Sequence, residues 1–352
     1  MNESLRRVSL RDEILEQPAV AASFLERAPA VVGPFAERLR AHDVEHVVIA
    51  ARGTSDHAAI YAQYVLGIRH GLSVGLGTPS VVSLYDARLR LDRALVVGIS
   101  QSGVSADVVA VVDEGRRQGA PTLAITNDPD SPLAKAAETT IDLGAGAERA
   151  IAATKTYTTE LLAIAVLSAA LSGDPADERA LAGIPGALQA ALELEPAIES
   201  MAREQSAADR LLVIARGYEY ATAREWALKL KELGRIFADP YSAADFQHGP
   251  LALLEPGVPV IAVVRDGPVA AGTIELLTRL RSDLGAELAV ASDLDGALAV
   301  ARWPLRLPSG TPEWLGPIVS IVLGQLHALH LTVARGIDPE LPRNLNKVTS
   351  TR

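Results

Sequence analysis

Short apolar runs that do not alternate, each closed by small polar residues and followed by a helical pattern, constrain this chain more than any other feature. Residues 94–99 read Ala-Leu-Val-Val-Gly-Ile, so a strand there is buried on both faces. Comparable runs stand at 47–50, 122–126 and 139–143, and helical patterns at 54–69, 106–118 and 158–171 alternate with them. Buried strands alternating with helices predict an α/β parallel sheet covered on both sides. In such a sheet, ligands bind at the carboxyl ends of the strands. The first 40 or so residues read as helix, with 1–15 broken at Gln17-Pro18 and 19–39 continuing in amphipathic fashion.

The pattern then starts again. After connecting stretches at 172–178 and 183–186, residues 211–215 form a run that ends in Arg216-Gly217, as the run at 47–50 leads into Arg52-Gly53. The next run, 258–264, leads to Gly267, and the 50 residues between Gly217 and Gly267 equal those between Gly53 and Gly103. This repetition predicts a duplicated α/β unit. A chain of 352 residues also exceeds what one hydrophobic core usually serves. The expected division is a helical segment at 1–40, a first subdomain at 41–175, a second at 195–335 and a tail at 336–352.

A formal net charge of −10 argues against a nucleic-acid backbone as partner. It leaves room for a small phosphate held by a local nest of N–H groups. The absence of cysteine removes disulfides, thiolate metal sites and cysteine nucleophiles. The amino terminus lacks the apolar stretch of a signal peptide, and runs such as 161–171 are too short to span a bilayer. A soluble cytoplasmic protein with no membrane partner is expected.

Several segments carry candidate chemistry. The loop Ser100-Gln101-Ser102-Gly103-Val104-Ser105 joins a strand to a helix start. Backbone N–H groups, the helix dipole and these hydroxyl and amide donors suit a phosphate held without lysine. The loop lacks the Gly-Lys-Ser/Thr of a P-loop and the glycines of a dinucleotide fingerprint. Simple helix capping by serine is the other explanation. Gly53, Thr54 and Ser55 would share its sheet edge, with Gly53 permitting a positive φ.

Glu225, Lys229 and Glu232 fall on one helix face. From residue type alone they read as a solvated ladder. His248 is followed by Gly249-Pro250, a turn that can fix an imidazole suited to proton exchange near neutral pH; from residue type alone it reads as a histidine in a turn with no role. Lys347 lies in a terminal segment, where fraying is usual.

Taken together, six collinear segments resemble the sugar-isomerase (SIS) family, specifically the isomerase half of glucosamine-6-phosphate synthase (glutamine–fructose-6-phosphate aminotransferase) and its stand-alone aminosugar-phosphate deaminase relatives. The segments are Arg52-Gly53-Thr54-Ser55, Ser100-Gln101-Ser102-Gly103, Ala152-Ala153-Thr154-Lys155 with Thr158-Thr159, the run Glu225 to Glu232, His248-Gly249-Pro250-Leu251-Ala252, and Pro342-Arg343-Asn344-Leu345 with Lys347. The resemblance implies two tandem SIS subdomains, each a five-stranded parallel sheet flanked by helices. It implies that Ser55, Ser100, Gln101, Ser102 and Ser105 contact the phosphate and sugar, and that Ile151, Ala152 and Ala153 lie against the sugar. By the same resemblance, Glu232 moves a proton between C1 and C2. His248 opens the ring from across a homodimer interface, Lys347 meets the open-chain carbonyl and can form a Schiff base, and Glu225 and Lys229 line the site. On this view the ladder, His248 and the tail become functional.

The sequence departs from the synthases in three ways. It has neither the length for their glutaminase domain nor the cysteine nucleophile, so glutamine is not expected to supply ammonia. Asp245 and Gln247 replace a Glu and a Lys before His248. Val104-Ser105 stands where the synthases have Glu-Thr. The ending Lys347-Val348-Thr349-Ser350-Thr351 resembles the stand-alone deaminases and fructosamine-phosphate deglycases more closely. The expected activity is conversion of glucosamine 6-phosphate to fructose 6-phosphate and ammonia, with no metal or other cofactor. Fructosamine 6-phosphate deglycation and aldose–ketose isomerisation are the enzymatic alternatives. A non-catalytic sugar-phosphate sensor is the alternative of another class.

Overall fold

The apolar runs form the centres of two five-stranded sheets, every pairing in them parallel, in a computed structural model that describes residues 9–347. One compact unit holds the first sheet and comprises residues 19–146 and 156–185. The other holds the second sheet and comprises 9–18, 147–155 and 186–347 among the described residues.

The described residues begin with three helices: α1 (Leu10–Leu15), α2 (Gln17–Arg27) and α3 (Pro29–Ala41). Ser9 and Asp12 form a reciprocal capping box on α1, which satisfies two N-terminal donors. The expected continuous helix over 19–39 is in fact interrupted at Ala28. Pro29 begins α3 there as its first residue, where a proline's missing N–H costs nothing. Pro18 sits in the first turn of α2 for the same reason.

The first sheet comprises β1 (His46–Ala50), β2 (Ser73–Leu76), β3 (Ala94–Ile99), β4 (Thr122–Thr126) and β5 (Thr139–Asp142), in the order β2-β1-β3-β4-β5. Helices α4 (Thr54–His70), α5 (Pro79–Ser83), α6 (Ala106–Arg117), α7 (Pro132–Ala136), α8 (Lys155–Ser172) and α9 (Pro175–Ala182) follow in chain order. β3 and β4 are buried at every position, which is why their sequences do not alternate. Val96, Val112, Ala124 and Leu133 pack in one cluster on this sheet.

Beyond α10 (Ile184–Leu192) and α11 (Glu195–Glu204), the second sheet comprises β6 (Arg210–Ala215), β7 (Phe237–Ser242), β8 (Pro259–Val264), β9 (Glu287–Ser292) and β10 (Trp303–Arg306). Its order, β7-β6-β8-β9-β10, is that of the first sheet. α12 (Tyr220–Gly234) follows β6 as α4 follows β1, and α13 (Ala270–Ser282) follows β8 as α6 follows β3; α14 (Asp295–Leu298) and α15 (Gly316–Ala334) complete the unit. The topology repeats, as the recurring strand-Arg-Gly spacing predicted.

α15 is apolar and long enough to cross a membrane by length and composition, yet 83% of its apolar window is buried inside the protein. Its Gly324 lets α12 come close: a Cβ there would lie 2.8 Å from the Trp226 ring. Trp226 Nε1 donates to His327 Nδ1 at 3.0 Å, so the indole's only donor is satisfied in the core. Burial pushes the His327 imidazole down to about 3, so it stays neutral.

Candidate functional site

An order of β2-β1-β3 places the topological switch point of the first sheet between the carboxyl ends of β1 and β3, where a crevice opens for ligands. The two loops there are the ones singled out from the sequence. Gly53, with φ +57° and ψ −126°, precedes α4. Thr54 and Ser55 begin that helix. Gly103 has φ +63°, and a Cβ on it would lie 2.2 Å from Ser131 Oγ, so only glycine fits this turn.

The loop after β3 is pinned by backbone bonds. Ser100 N–H donates to Ile125 O at 3.1 Å, Asn127 N–H to Gln101 O at 3.0 Å, and Leu133 N–H to Gly103 O at 3.0 Å. Gly103 N–H also reaches Ser100 Oγ at 3.2 Å. Gln101, Ser102 and Ser105 are half-buried and Ser100 is buried. Ser105 stands at the N-cap of α6 but makes no side-chain cap bond. Ordinary capping therefore does not account for this serine. Ser55 is buried, and its hydroxyl donates to Glu160 Oε1 of α8 at 2.8 Å. Its oxygen acts toward anything else as an acceptor.

The second sheet's switch point, between β6 and β8, is built differently. Glu219 stands two residues after Gly217, as Ser55 stands two after Gly53. Its carboxylate accepts from Thr222 at 2.5 Å and from Ser320 at 2.8 Å, so hydroxyl and carboxylate have exchanged places relative to Ser55 and Glu160. Burial pushes Glu219 up to about 7, against these hydroxyl bonds and the Arg265 charge. Arg265 is buried, 3.5 Å from Asp293, and donates to Thr311 O. The protein's own charges fill this point, and no serine loop lies there.

The Glu225–Lys229–Glu232 series lies on α12 of the second unit, and it is not a solvated ladder. Glu225 and Lys229 are essentially unexposed, and Glu232 keeps 23% of its side chain exposed. Lys229 Nζ sits 3.2 Å from Glu225 Oε1 and 2.6 Å from Glu232 Oε2. Burial alone would lower the ammonium's pKa; the two carboxylates outweigh it and hold Lys229 above the ordinary lysine value. The result is a locked cation donating to a carboxylate that still reaches solvent.

Residues 147–155 belong to this same unit. Glu148 is buried; its Oε1 accepts from Thr154 N–H at 2.9 Å and its Oε2 lies 2.9 Å from Lys347 Nζ. Glu13 accepts from the N–H groups of Arg149 and Ala150. Burial raises the Glu13 pKa, partly offset by the Arg149 bond. Lys155 pairs with Glu16 at 2.5 Å. These contacts fix the stretch bearing Ile151, Ala152 and Ala153, of which Ala152 is buried, and bring the tail lysine to it. Glu148 and Glu13 were not singled out from the sequence. Single glutamates outside any motif carry no signal; only the fold shows what they hold.

His248 is exposed at the end of a short turn, with Gly249 beside it at φ +129°. Its backbone N–H donates to Asp245 O at 2.9 Å. The segment after Lys347, whose ending resembles the deaminases, lies outside the described residues. Among the described residues no group of three or more His, Cys, Asp or Glu is arranged to hold a metal.

Known proteins match this architecture. The SIS domain matches twice, over residues 42–170 and 206–335. A glutamine–fructose-6-phosphate aminotransferase (isomerizing) from Gloeobacter violaceus is 36% identical over 350 residues, covering 95% of this chain and 57% of the relative. The chain thus spans little more than half the length of such curated relatives. A protein from Silicibacter pomeroyi DSS-3, named as a candidate phosphosugar isomerase, is 34% identical with a TM-score of 0.84, covering 94% of this chain and 99% of the other. The C-terminal domain of glucosamine-fructose-6-phosphate aminotransferase from Francisella tularensis superposes with a TM-score of 0.86 at 25% identity, over 97% of this chain and 100% of the other.

Proposed function

Starting from a chain that belongs to the SIS family, with one SIS domain in each half, we propose that it converts glucosamine 6-phosphate to fructose 6-phosphate and ammonia. The observation that carries this reading is the buried Glu225–Lys229–Glu232 series, in which one carboxylate alone keeps solvent access. Burying a lysine between two glutamates is costly in a folded protein. A placed base repays it with function.

In the proposed reaction the phosphate sits on the 100–105 loop at the start of α6, where N–H groups and the helix dipole favour an anion. Ser100, Gln101, Ser102 and Ser105 add donors, with Gly53, Thr54 and Ser55 on the other side of the switch point. His248, supplied by the second copy of a homodimer, takes part in opening the ring. Glu232 removes the proton from C2 of the open-chain aldehyde, giving an enaminol with a C1–C2 double bond. The same carboxyl group returns the proton to C1, leaving an imine at C2. Water then hydrolyses the imine, releasing ammonia and the ketone. Lys229 donates to Glu232 Oε2 and keeps the carboxylate aimed. Lys347, steadied by Glu148, meets the carbonyl end of the sugar against Ile151, Ala152 and Ala153. Only a positioned acid and base are required for such proton transfers.

Aldose–ketose isomerisation of a sugar phosphate uses the same proton transfer without loss of nitrogen. It is favoured by the name of the Silicibacter pomeroyi relative. Ammonia release and ketose formation, measured side by side over a panel of aminosugar and neutral aldose 6-phosphates, separate the two. Stoichiometric ammonia from glucosamine 6-phosphate supports deamination. Ketose formation only from neutral aldoses refutes it.

A further inference from the structure

Asp107 is fully buried in the first turn of α6, two residues beyond Ser105. A carboxylate there takes up the positive end of the helix dipole for itself. It also stands beside the loop assigned to a phosphate, where like charges repel. Its Oδ1 accepts from Val108 N–H at 2.9 Å. Its Oδ2 accepts from Arg52 Nε at 2.9 Å and lies 2.8 Å from Arg52 Nη2. Arg52 directly precedes Gly53, so this pair ties the loop after β1 to the helix after β3, the two arms of the switch point. The arginine side chain remains 46% exposed while its partner is wholly enclosed.

The second half of the chain supplies an internal comparison. Arg216 again precedes Gly217, but β8 runs into Arg265-Asp266-Gly267 with no serine loop. Four residues after Gly103 stands Asp107; four after Gly267 stands Ala271. The hydroxyl loop and the buried carboxylate are present together in one half and absent together from the other.

We propose that Arg52 is a positioning residue for the phosphate: by neutralising Asp107 across the two loops, it leaves the start of α6 and the 100–105 hydroxyls able to hold a dianion. This rests on the phosphate reading of that loop. It explains why a cradle without lysine carries an arginine that points at a carboxylate.

Calorimetric titration of the full chain with inorganic phosphate and with fructose 6-phosphate tests it, with thermal melts of each variant alongside. Arg52→Met removes the guanidinium charge from Asp107 and weakens binding by about tenfold or more. Asp107→Asn binds as tightly as the parent or more tightly. The double variant Arg52→Met/Asp107→Asn returns to within about twofold of the parent, because the two changes cancel rather than add. A simple brace between loops would weaken all three variants. The proposal is overturned if the double variant binds as weakly as Arg52→Met, or if Arg52→Met binds unchanged. Should Arg52→Met fail to fold, Asp107→Asn decides alone, and a tenfold loss there overturns the proposal. A parent protein that binds neither ligand overturns the phosphate reading beneath it as well.

Discussion

Replacing Lys229 by methionine keeps the length and apolar stem of the side chain and removes its charge. In the parent the ammonium serves two carboxylates, 3.2 Å and 2.6 Å away, and it is 1% exposed. Glu232 can turn to water through its exposed fraction; Glu225, at 0%, cannot. The cost therefore falls on Glu225, which loses a buried ion pair. Breaking such a pair from one side costs about 3–5 kcal/mol, whereas an exposed helix pair is worth roughly 0.3–0.5 kcal/mol. Lys229 is held above its ordinary value of 10.5, so its stabilisation is fully present below that pH and is lost as pH rises through the folded value. Urea unfolding at pH 7 thus measures the whole effect. Adding Glu225→Gln recovers part of the loss. A deficit under about 1 kcal/mol at pH 7, the exposed-pair scale, would refute the buried-pair reasoning.

Other perturbations follow from the same geometry. Gly103→Ala forces a side chain into a positive φ and against Ser131; it should cost at least about 1–3 kcal/mol in urea unfolding and weaken phosphate binding, and unaltered stability would contradict the loop geometry. Glu219, held up to about 7 in the folded state, binds its proton more tightly folded than unfolded. Its stability contribution is complete below the unfolded value near 4.5 and fades as pH rises through about 7. Glu219→Gln should therefore flatten the loss of stability over that window, by at most about 1.4 kcal/mol per pH unit, and an unchanged pH slope would count against it. If His248 serves the neighbouring copy of a homodimer, mixing His248→Ala with Glu232→Gln chains should restore part of the activity through hybrid sites; a mixture as inactive as its parts argues for self-contained sites.

Where the sequence was legible, one-dimensional pattern carried the physics. β3 and β4 are buried on both faces and their residues show it without help from neighbours. The edge strands β2 and β7 were not foreseen, and no strand was read from the residues at β9 or β10. Ser73-Val74-Gly75-Leu76 is half exposed along its length, and Pro240 within β7 is a residue that only an edge tolerates. The glycines at 53 and 103 announced their turns because positive φ has few other occupants. The charge series on α12 could not be read in the same way. Spacing put Glu225, Lys229 and Glu232 on one face, but burial depends on the packing of α15, where Gly324 admits Trp226. Glu148, Asp107 and the Ser55–Glu160 exchange with Glu219–Ser320 are tertiary pairings between residues with no fixed sequence separation, and no local pattern encodes them.

In the proposed reaction Glu232 moves a proton between adjacent carbons of a phosphorylated aminosugar. The most direct measurement is turnover of glucosamine 6-phosphate in deuterated water by the parent and by Glu232→Gln, which keeps the shape and hydrogen bonding of the side chain but not its basicity. Deuterium is expected at C1 of the fructose 6-phosphate formed by the parent. The variant's kcat should fall by roughly 10²–10⁴, the usual contribution of a positioned general base, with KM little changed. Near-parental turnover by Glu232→Gln, or a parent that binds the sugar phosphate without ever turning it over, would contradict the claim and leave a sugar-phosphate-binding protein in its place.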